Sequence, residues 1–168
     1  MNWDAIGAIG EVVGAAAVVF TIVYLAIQVR HAKESTKAST ELEASIQMSR
    51  ITERTADDPR LQLAWDLVAA EEDLERDLAR HYLWHVGTFV NLAEGFWEQH
   101  QLGNLSDRSW GQWERNLQGV LSRPFCNNWW KERLSTVSPE FYDYVDDLIE
   151  QEASWSMRSG EDHYSARS

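Results

Sequence analysis

An apolar run near the N-terminus constrains this chain more than any other feature of its sequence. Between Ala5 and Ile27 the residues read AIGAIGEVVGAAAVVFTIVYLAI, and Glu11 is their only charged residue. As a helix, such a run spans roughly 34 Å at about 1.5 Å per residue, which is enough to cross a hydrocarbon core of about 30 Å. We therefore predict that residues 1–30 form a transmembrane anchor helix in a lipid bilayer.

Two other interpretations of the run fit the residues less well. A buried helix of a soluble protein would usually carry polar residues on one face, and this run has almost none. A cleaved signal peptide would begin with basic residues, whereas Met-Asn-Trp-Asp precedes this run and no small-residue cleavage site ends it. The pattern is more typical of a retained anchor.

The charges beside the run predict its direction. Arg30, Lys33 and Lys37 follow it, whereas Asp4 precedes it. Positively charged residues that flank a span stay on the cytoplasmic side. We therefore expect a single-pass protein with its N-terminus outside and its C-terminal part in the cytoplasm.

One face of the predicted anchor is rich in small residues. At heptad spacing this stripe consists of Gly7, Gly10, Gly14, Ala17, Thr21, Tyr24 and Gln28. Gly10 and Gly14 form a small-x-x-x-small pair, which lets two helix backbones approach closely. The stripe predicts a homo-oligomer interface; the alternative is a monomeric span whose small residues have no packing role.

Glu11 lies beside the stripe, about one turn inside the outer boundary of the predicted span. A carboxylate within a span is costly and usually has a functional or pairing role. The alternative is that its side chain extends to the nearby outer surface. In an oligomer, a ring of such carboxylates at a pore mouth would favour cations.

The remainder of the chain has helical periodicity throughout. A juxtamembrane helix is predicted over residues 31–58, with a sparse apolar stripe at Leu42, Ile46 and Ile51, and Pro59 ends it. A helical domain is predicted over residues 59–153, followed by a disordered tail over 154–168. The predicted fold is therefore all-α: an N-terminal transmembrane helix that continues into a long cytoplasmic helix, and then a small helical bundle.

Start and stop signals divide the predicted domain into helices. They open at Pro59, near Leu74, after a cap at Ser106 or Asp107, at Pro124 and at Pro139. The longest runs from Leu74 to about Leu102, and Gly103 follows it. Its apolar positions recur at close to 3.6 residues: Leu74, Leu78, Tyr82, Val86, Phe89, Ala93, Phe96 and Trp97.

Several segments together resemble an uncharacterised family of bacterial single-pass membrane proteins, which have a W-x-A-I-G-A-I-G-E-x-x-G anchor and a C-terminal helical domain. The similar residues are Trp3 to Gly14, Tyr24 to Arg30, Phe96-Trp97, Gln101-Leu102-Gly103, Trp110, Trp129-Trp130 and Phe141. The resemblance covers the anchor and most of the helical part. It implies a location in the bacterial inner membrane and this architecture, and it supplies no catalytic residues. Glu11 belongs to the shared opening.

Composition argues against several classes of function. A net charge of −12 argues against nucleic acid and acidic substrates as partners, because both require clustered Lys and Arg. The single cysteine, Cys126, excludes a disulfide framework and is expected to be a buried thiol. Seven of the nine tryptophans lie between Trp65 and Trp130, where we expect them to fill the core and interfaces.

The sequence contains one pair of candidate metal ligands. His81 and His85 stand four residues apart, so that a helix places both imidazoles on one face. Tyr82 follows the first histidine where a zinc protease requires a glutamate. The alternative is that both histidines pack at a core edge or a subunit interface. No nucleotide-binding or nucleophile motif occurs in the sequence, so we predict no enzyme activity and no cofactor.

Two functions remain after these exclusions. The first is a membrane-anchored homo-oligomer that presents an acidic helical domain to the cytoplasm as a non-enzymatic scaffold or interaction module, with an unknown protein partner. The alternative is a small homo-oligomeric ion channel lined by the stripe from Gly7 to Gln28, with Glu11 near its outer mouth.

Overall fold

The computed structural model describes residues 3–133 and 136–151, with only the backbone of residues 3–10, 12 and 13. These ranges contain six helices and no strand, which confirms the all-α prediction. The tail predicted at residues 154–168 lies outside the described residues. The helices are α1 (Trp3–Asp57), α2 (Pro59–Ala69), α3 (Arg76–Gln101), α4 (Asp107–Leu121), α5 (Pro124–Trp130) and α6 (139–151).

α1 is a single helix of 55 residues, about 80 Å long, with no break between the predicted anchor and the segment after it. Every residue from 14 to 39 is exposed. Large apolar side chains are among them, and Phe20 is 75% exposed. Within the part of the chain that the structure describes, α1 is the one helix whose length and composition would allow it to cross a membrane.

The last third of α1 belongs to the helical domain. Its inward residues recur every three or four positions, as on one face of a helix: Glu41, Ala44, Met48, Ile51 and Thr55. Ala44 is buried in the core. The predicted stripe is wrong at Leu42, which is 62% exposed, because Ala44 and Met48 centre the packed face about 140° away around the helix axis.

α3 is the central helix of the domain and packs against α1, α2 and α4. Six of the eight predicted apolar positions are buried in it, whereas Leu74 and Trp97 are only partly buried. Its buried residues, with Val90 in addition, are Leu78, Tyr82, Val86, Phe89, Val90, Ala93 and Phe96. His85 of α3 lies beside Thr55, whereas Ser106, after the end of α3, lies beside Glu41. α3 therefore runs antiparallel to α1.

Aromatic rings fill the space between α3 and the helices after it. Trp113 stacks on Phe89 at a centroid distance of 5.5 Å, and Trp130 stacks on Tyr142 at 5.0 Å. Both tryptophans are buried, as expected. Cys126 is also buried, and its thiol donates to the Tyr82 hydroxyl over 3.7 Å. Burial raises the pKa of this thiol, which makes it a poor nucleophile.

Capping residues define three of the helix ends, and the sequence predicts those at Ser106 and Gly103. Asp58 accepts hydrogen bonds from the backbone N–H groups of Arg60 and Leu61 and so caps α2. Ser106 caps α4 by accepting from the backbone N–H of Ser109. Gly103 ends α3 with a φ of +74°, a left-handed conformation that glycine adopts without strain.

Candidate functional site

The predicted oligomer stripe lies on the exposed part of α1. Gly14, Ala17, Thr21, Tyr24 and Gln28 are all exposed, and a Cβ atom at Gly14 would meet nothing within 4 Å. The surroundings of the other two stripe residues, Gly7 and Gly10, lie outside what the structure describes. A second helix could therefore approach the described part of the stripe without displacing any of the chain's own atoms.

Polar groups of the stripe are partly satisfied within α1 itself. The Thr21 hydroxyl donates to the Ala17 carbonyl over 2.8 Å, so it needs no partner on another helix. Glu11 is exposed on the same helix. Its role as a pore-mouth or pairing carboxylate stays a prediction.

The candidate metal ligands His81 and His85 face the junction of α3 with α1 and α2. His81 Nε2 lies 2.7 Å from Asp58 Oδ2, and His85 Nε2 lies 3.0 Å from Thr55 Oγ1. Because the Thr55 hydroxyl donates to the Ile51 carbonyl, the N–H of His85 is the donor to Thr55. Each histidine therefore hydrogen-bonds a residue at or just beyond the end of α1.

Two groups at this junction have lowered pKa values. Burial lowers the pKa of His85, and Arg54 and His81 lower it further. The hydrogen bond from His81 is the largest cause of the lowered pKa of Asp58. Among the described residues, no group of three His, Cys, Asp or Glu side chains could hold a metal ion.

A cavity of about 200 Å³ lies between the end of α1 and helices α2, α3 and α4. Its walls are chiefly apolar, with Met48, Trp65 and Phe89 among them, and Thr55 and His85 at a polar edge. It is smaller than the roughly 300–1,000 Å³ typical of small-molecule sites. We interpret it as a packing gap where α1 meets the bundle.

A larger hollow of about 460 Å³ runs along the outer face of α3, and we call it the Trp84 groove. Trp84 is 74% exposed, so the expectation that it fills the core is wrong, whereas an interface role for it stays a prediction. The groove is lined by Arg76, Ala79, Arg80, Leu83, Trp84, Gly87, Thr88, Asn91, Trp129 and Arg133. Three of these residues are arginines and none is acidic among those the structure describes.

Sequence reasoning missed this groove although part of its signal is visible. Arg76, Arg80 and Trp84 follow one another at intervals of four, which places them on one helix face. This face is polar, whereas the apolar residues that repeat at the helical period lie on the opposite side of α3. Trp129 and Arg133 join the groove only through tertiary packing, which no local pattern in the sequence reveals.

Comparisons with known proteins add no relative: no protein-family model, no curated protein and no solved structure matches this chain.

Proposed function

We propose that this chain is a single-pass membrane protein whose continuous N-terminal helix holds a non-enzymatic helical interaction domain beside the bilayer. The observation that carries the proposal is the exposure of the apolar part of α1 from residue 14 onward. Residues such as Phe20 and Val29, 75% and 69% exposed, have no partner surface within the described chain. Exposed apolar area on this scale is unfavourable in water by about 25 cal/mol per Å², and lipid removes that cost.

The connection between anchor and domain supports a role in presenting the domain at a fixed height. From Arg30 to Glu41 the helix is unbroken and rises about 16 Å. Glu41 then contacts Ser106 and Ser109 at the start of α4. We call this part of α1, from Arg30 to Glu41, the stem. A helical stem fixes the position and orientation of the domain, whereas a Gly/Ser-rich linker would let the domain diffuse.

The direction of the anchor and its self-association belong to the same proposal. Arg30, Lys33 and Lys37 are exposed on the stem directly after the apolar segment, which supports a cytoplasmic domain. The exposed stripe around Gly14 supports association with further copies of this chain. The family resemblance supports the bacterial inner membrane as the location.

Membrane extraction and cysteine labelling test the anchor and its direction. The expected result is that alkaline carbonate leaves the protein in the membrane pellet and that detergent releases it. In a Cys126→Ser background, Asn2→Cys should react with an impermeant maleimide in intact cells. The matched variant Lys37→Cys, on the exposed stem, should react only after lysis.

Two results would contradict this proposal. Release of the protein by carbonate would exclude an anchor, since a peripheral protein is stripped under these conditions. The reverse labelling pattern, with Lys37→Cys reactive in intact cells and Asn2→Cys protected, would place the domain on the outer side.

A further inference from the structure

The distribution of positive charge on this chain is uneven. The net charge of −12 argues against acidic ligands for the surface as a whole. Around Trp84 the local balance is different, because the Trp84 groove and two adjoining hollows contain five of the 15 Lys and Arg residues. These five are Arg54, Arg60, Arg76, Arg80 and Arg133. Asp77, which pairs with Arg80 at 2.7 Å, is the acidic residue that lines one of the hollows.

Packing holds the far wall of the groove in place. The guanidinium of Arg133 lies 4.2 Å from the centre of the Trp129 ring, so that cation and ring stack. Gly87 of α3 lies against this pair, and a Cβ atom there would be in ordinary van der Waals contact with both side chains at 3.5 Å. An arginine held in advance loses less rotamer entropy when it binds a ligand.

The shape of the groove suits an extended chain better than a compact ion. Arg76 and Asn91, at its two ends on α3, are separated by a helical rise of about 22 Å. An extended peptide covers that length with about seven residues at roughly 3.3 Å each. Arginine forks match carboxylates in a bidentate geometry, and exposed tryptophan beside arginine is the composition typical of binding hot spots.

The position of the groove argues against the chain's own membrane as its ligand. His85, one residue from Trp84, lies beside Thr55, which is about 37 Å along α1 from Arg30. An upright stem therefore places the Trp84 groove at the end of the domain farthest from lipid headgroups. A protein segment in the surrounding solution can reach this end.

We propose that the Trp84 groove binds an acidic segment of a partner protein, with carboxylates on the arginines and an apolar side chain against Trp84. This inference deepens the interaction role proposed above and rests on it for its biological setting. The binding itself depends on the groove alone. If the membrane-anchor proposal fails, carbonate extraction shows it and peptide binding is unchanged. If the groove proposal fails, peptide binding is absent and carbonate extraction is unaffected, so the two failures are distinguishable.

Selection from a random peptide library tests the proposal without a known partner. The bait is the full-length protein in nanodiscs, and the library displays peptides of about ten residues, slightly longer than the groove. We expect the selected pool to be enriched in Asp and Glu with at least one Leu or aromatic residue. The best peptide, synthesised with a fluorescent label, then reports affinity by anisotropy.

Matched variants locate the binding site. Trp84→Ala and Arg80→Ala should each lower the affinity for the peptide by about tenfold or more, as expected for hot-spot residues. Leu102→Ala removes an exposed apolar side chain elsewhere, and Arg108→Ala removes an exposed charge at the start of α4; both should leave affinity within about twofold. Circular dichroism checks that every variant is folded.

Four outcomes would overturn the proposal. The first two are a selected pool without acidic enrichment and an equal loss of affinity in the groove and control variants. The third is inorganic phosphate binding the groove more tightly than any selected peptide, which would identify a small anion as the ligand. The fourth is a lower oligomer mass in Trp84→Ala, which would mean that a neighbouring copy of this chain occupies the groove.

Discussion

The carboxylate of Glu41 accepts a 2.7 Å hydrogen bond from the backbone N–H of Ser106, a residue 65 positions later in the chain. Its other oxygen accepts from the hydroxyl of Ser109. Ser106 caps α4, so a negative charge from α1 lies at the positive end of α4's dipole. A single side chain thus joins the stem to the bundle where the exposed part of α1 ends.

Removal of the Glu41 carboxylate should weaken the contact between α1 and α4. Glu41→Ala leaves the Ser106 N–H without its partner, and we expect a loss of about 1–3 kcal/mol in the free energy of unfolding. Glu53→Ala is the control, because Glu53 is exposed on the same helix. Urea titration in mild detergent, followed by tryptophan fluorescence, measures both. An equal loss in the two variants would show that the contact with α4 contributes nothing specific.

Acid should weaken the junction of α1 with α3. Burial lowers the pKa of His85, so protonation is easier in the unfolded chain than in the folded one. The stability it contributes is complete above the ordinary histidine pKa of 6.5 and is lost as pH falls through the lower folded value. The lowered pKa of Asp58 acts in the same direction at more acidic pH.

His85→Gln tests this pH dependence. The glutamine amide retains an N–H donor for Thr55 but does not titrate, so the variant should lose less stability than the wild type between pH 7.5 and about pH 5.5. Thermal unfolding at the two pH values, compared between wild type and variant, gives the difference. Identical pH dependence in both proteins would assign the acid sensitivity to other groups.

Much of the fold follows from local sequence signals. Pro59, Ser106 and Gly103 act on their immediate neighbours, so the helix ends they predict are found where expected. The inward face of α3 is also predictable from the sequence, because its apolar residues repeat at the helical period. These features depend on residues that are close in the chain.

Features that depend on distant residues were not predicted. Leu42 was assigned to a packed stripe because it is apolar, but the face of α1 that packs is set by α4 and its contact with Glu41. The Trp84 groove requires Trp129 and Arg133 to fold back onto α3. Periodicity identifies which side chains of a helix share a face, and it gives no information about which later helix covers that face.

Association through the stripe of α1 should be sensitive to the size of residue 14. Gly14→Leu adds a bulky side chain that blocks close approach of two helices, so we expect a smaller oligomer or a monomer. Ala16→Leu is the matched control, since Ala16 is exposed about 160° away from Gly14 around the helix axis. The oligomer mass of each variant, measured in nanodiscs, distinguishes the effect of Gly14→Leu from that of Ala16→Leu. An unchanged mass in Gly14→Leu would remove the stripe from the interface.

Two glycines of the α3 region should respond to alanine with opposite signs. A Cβ atom at Gly95 would meet nothing within 4 Å, and the residue lies inside α3, so Gly95→Ala should stabilise the fold by about 0.5–1 kcal/mol through helix propensity. Space is equally open at Gly103, but its φ of +74° is strained for alanine. Gly103→Ala should therefore destabilise by about 1–2 kcal/mol. Urea titrations of both variants measure this contrast, and a shift of the same sign in both would contradict the conformational explanation.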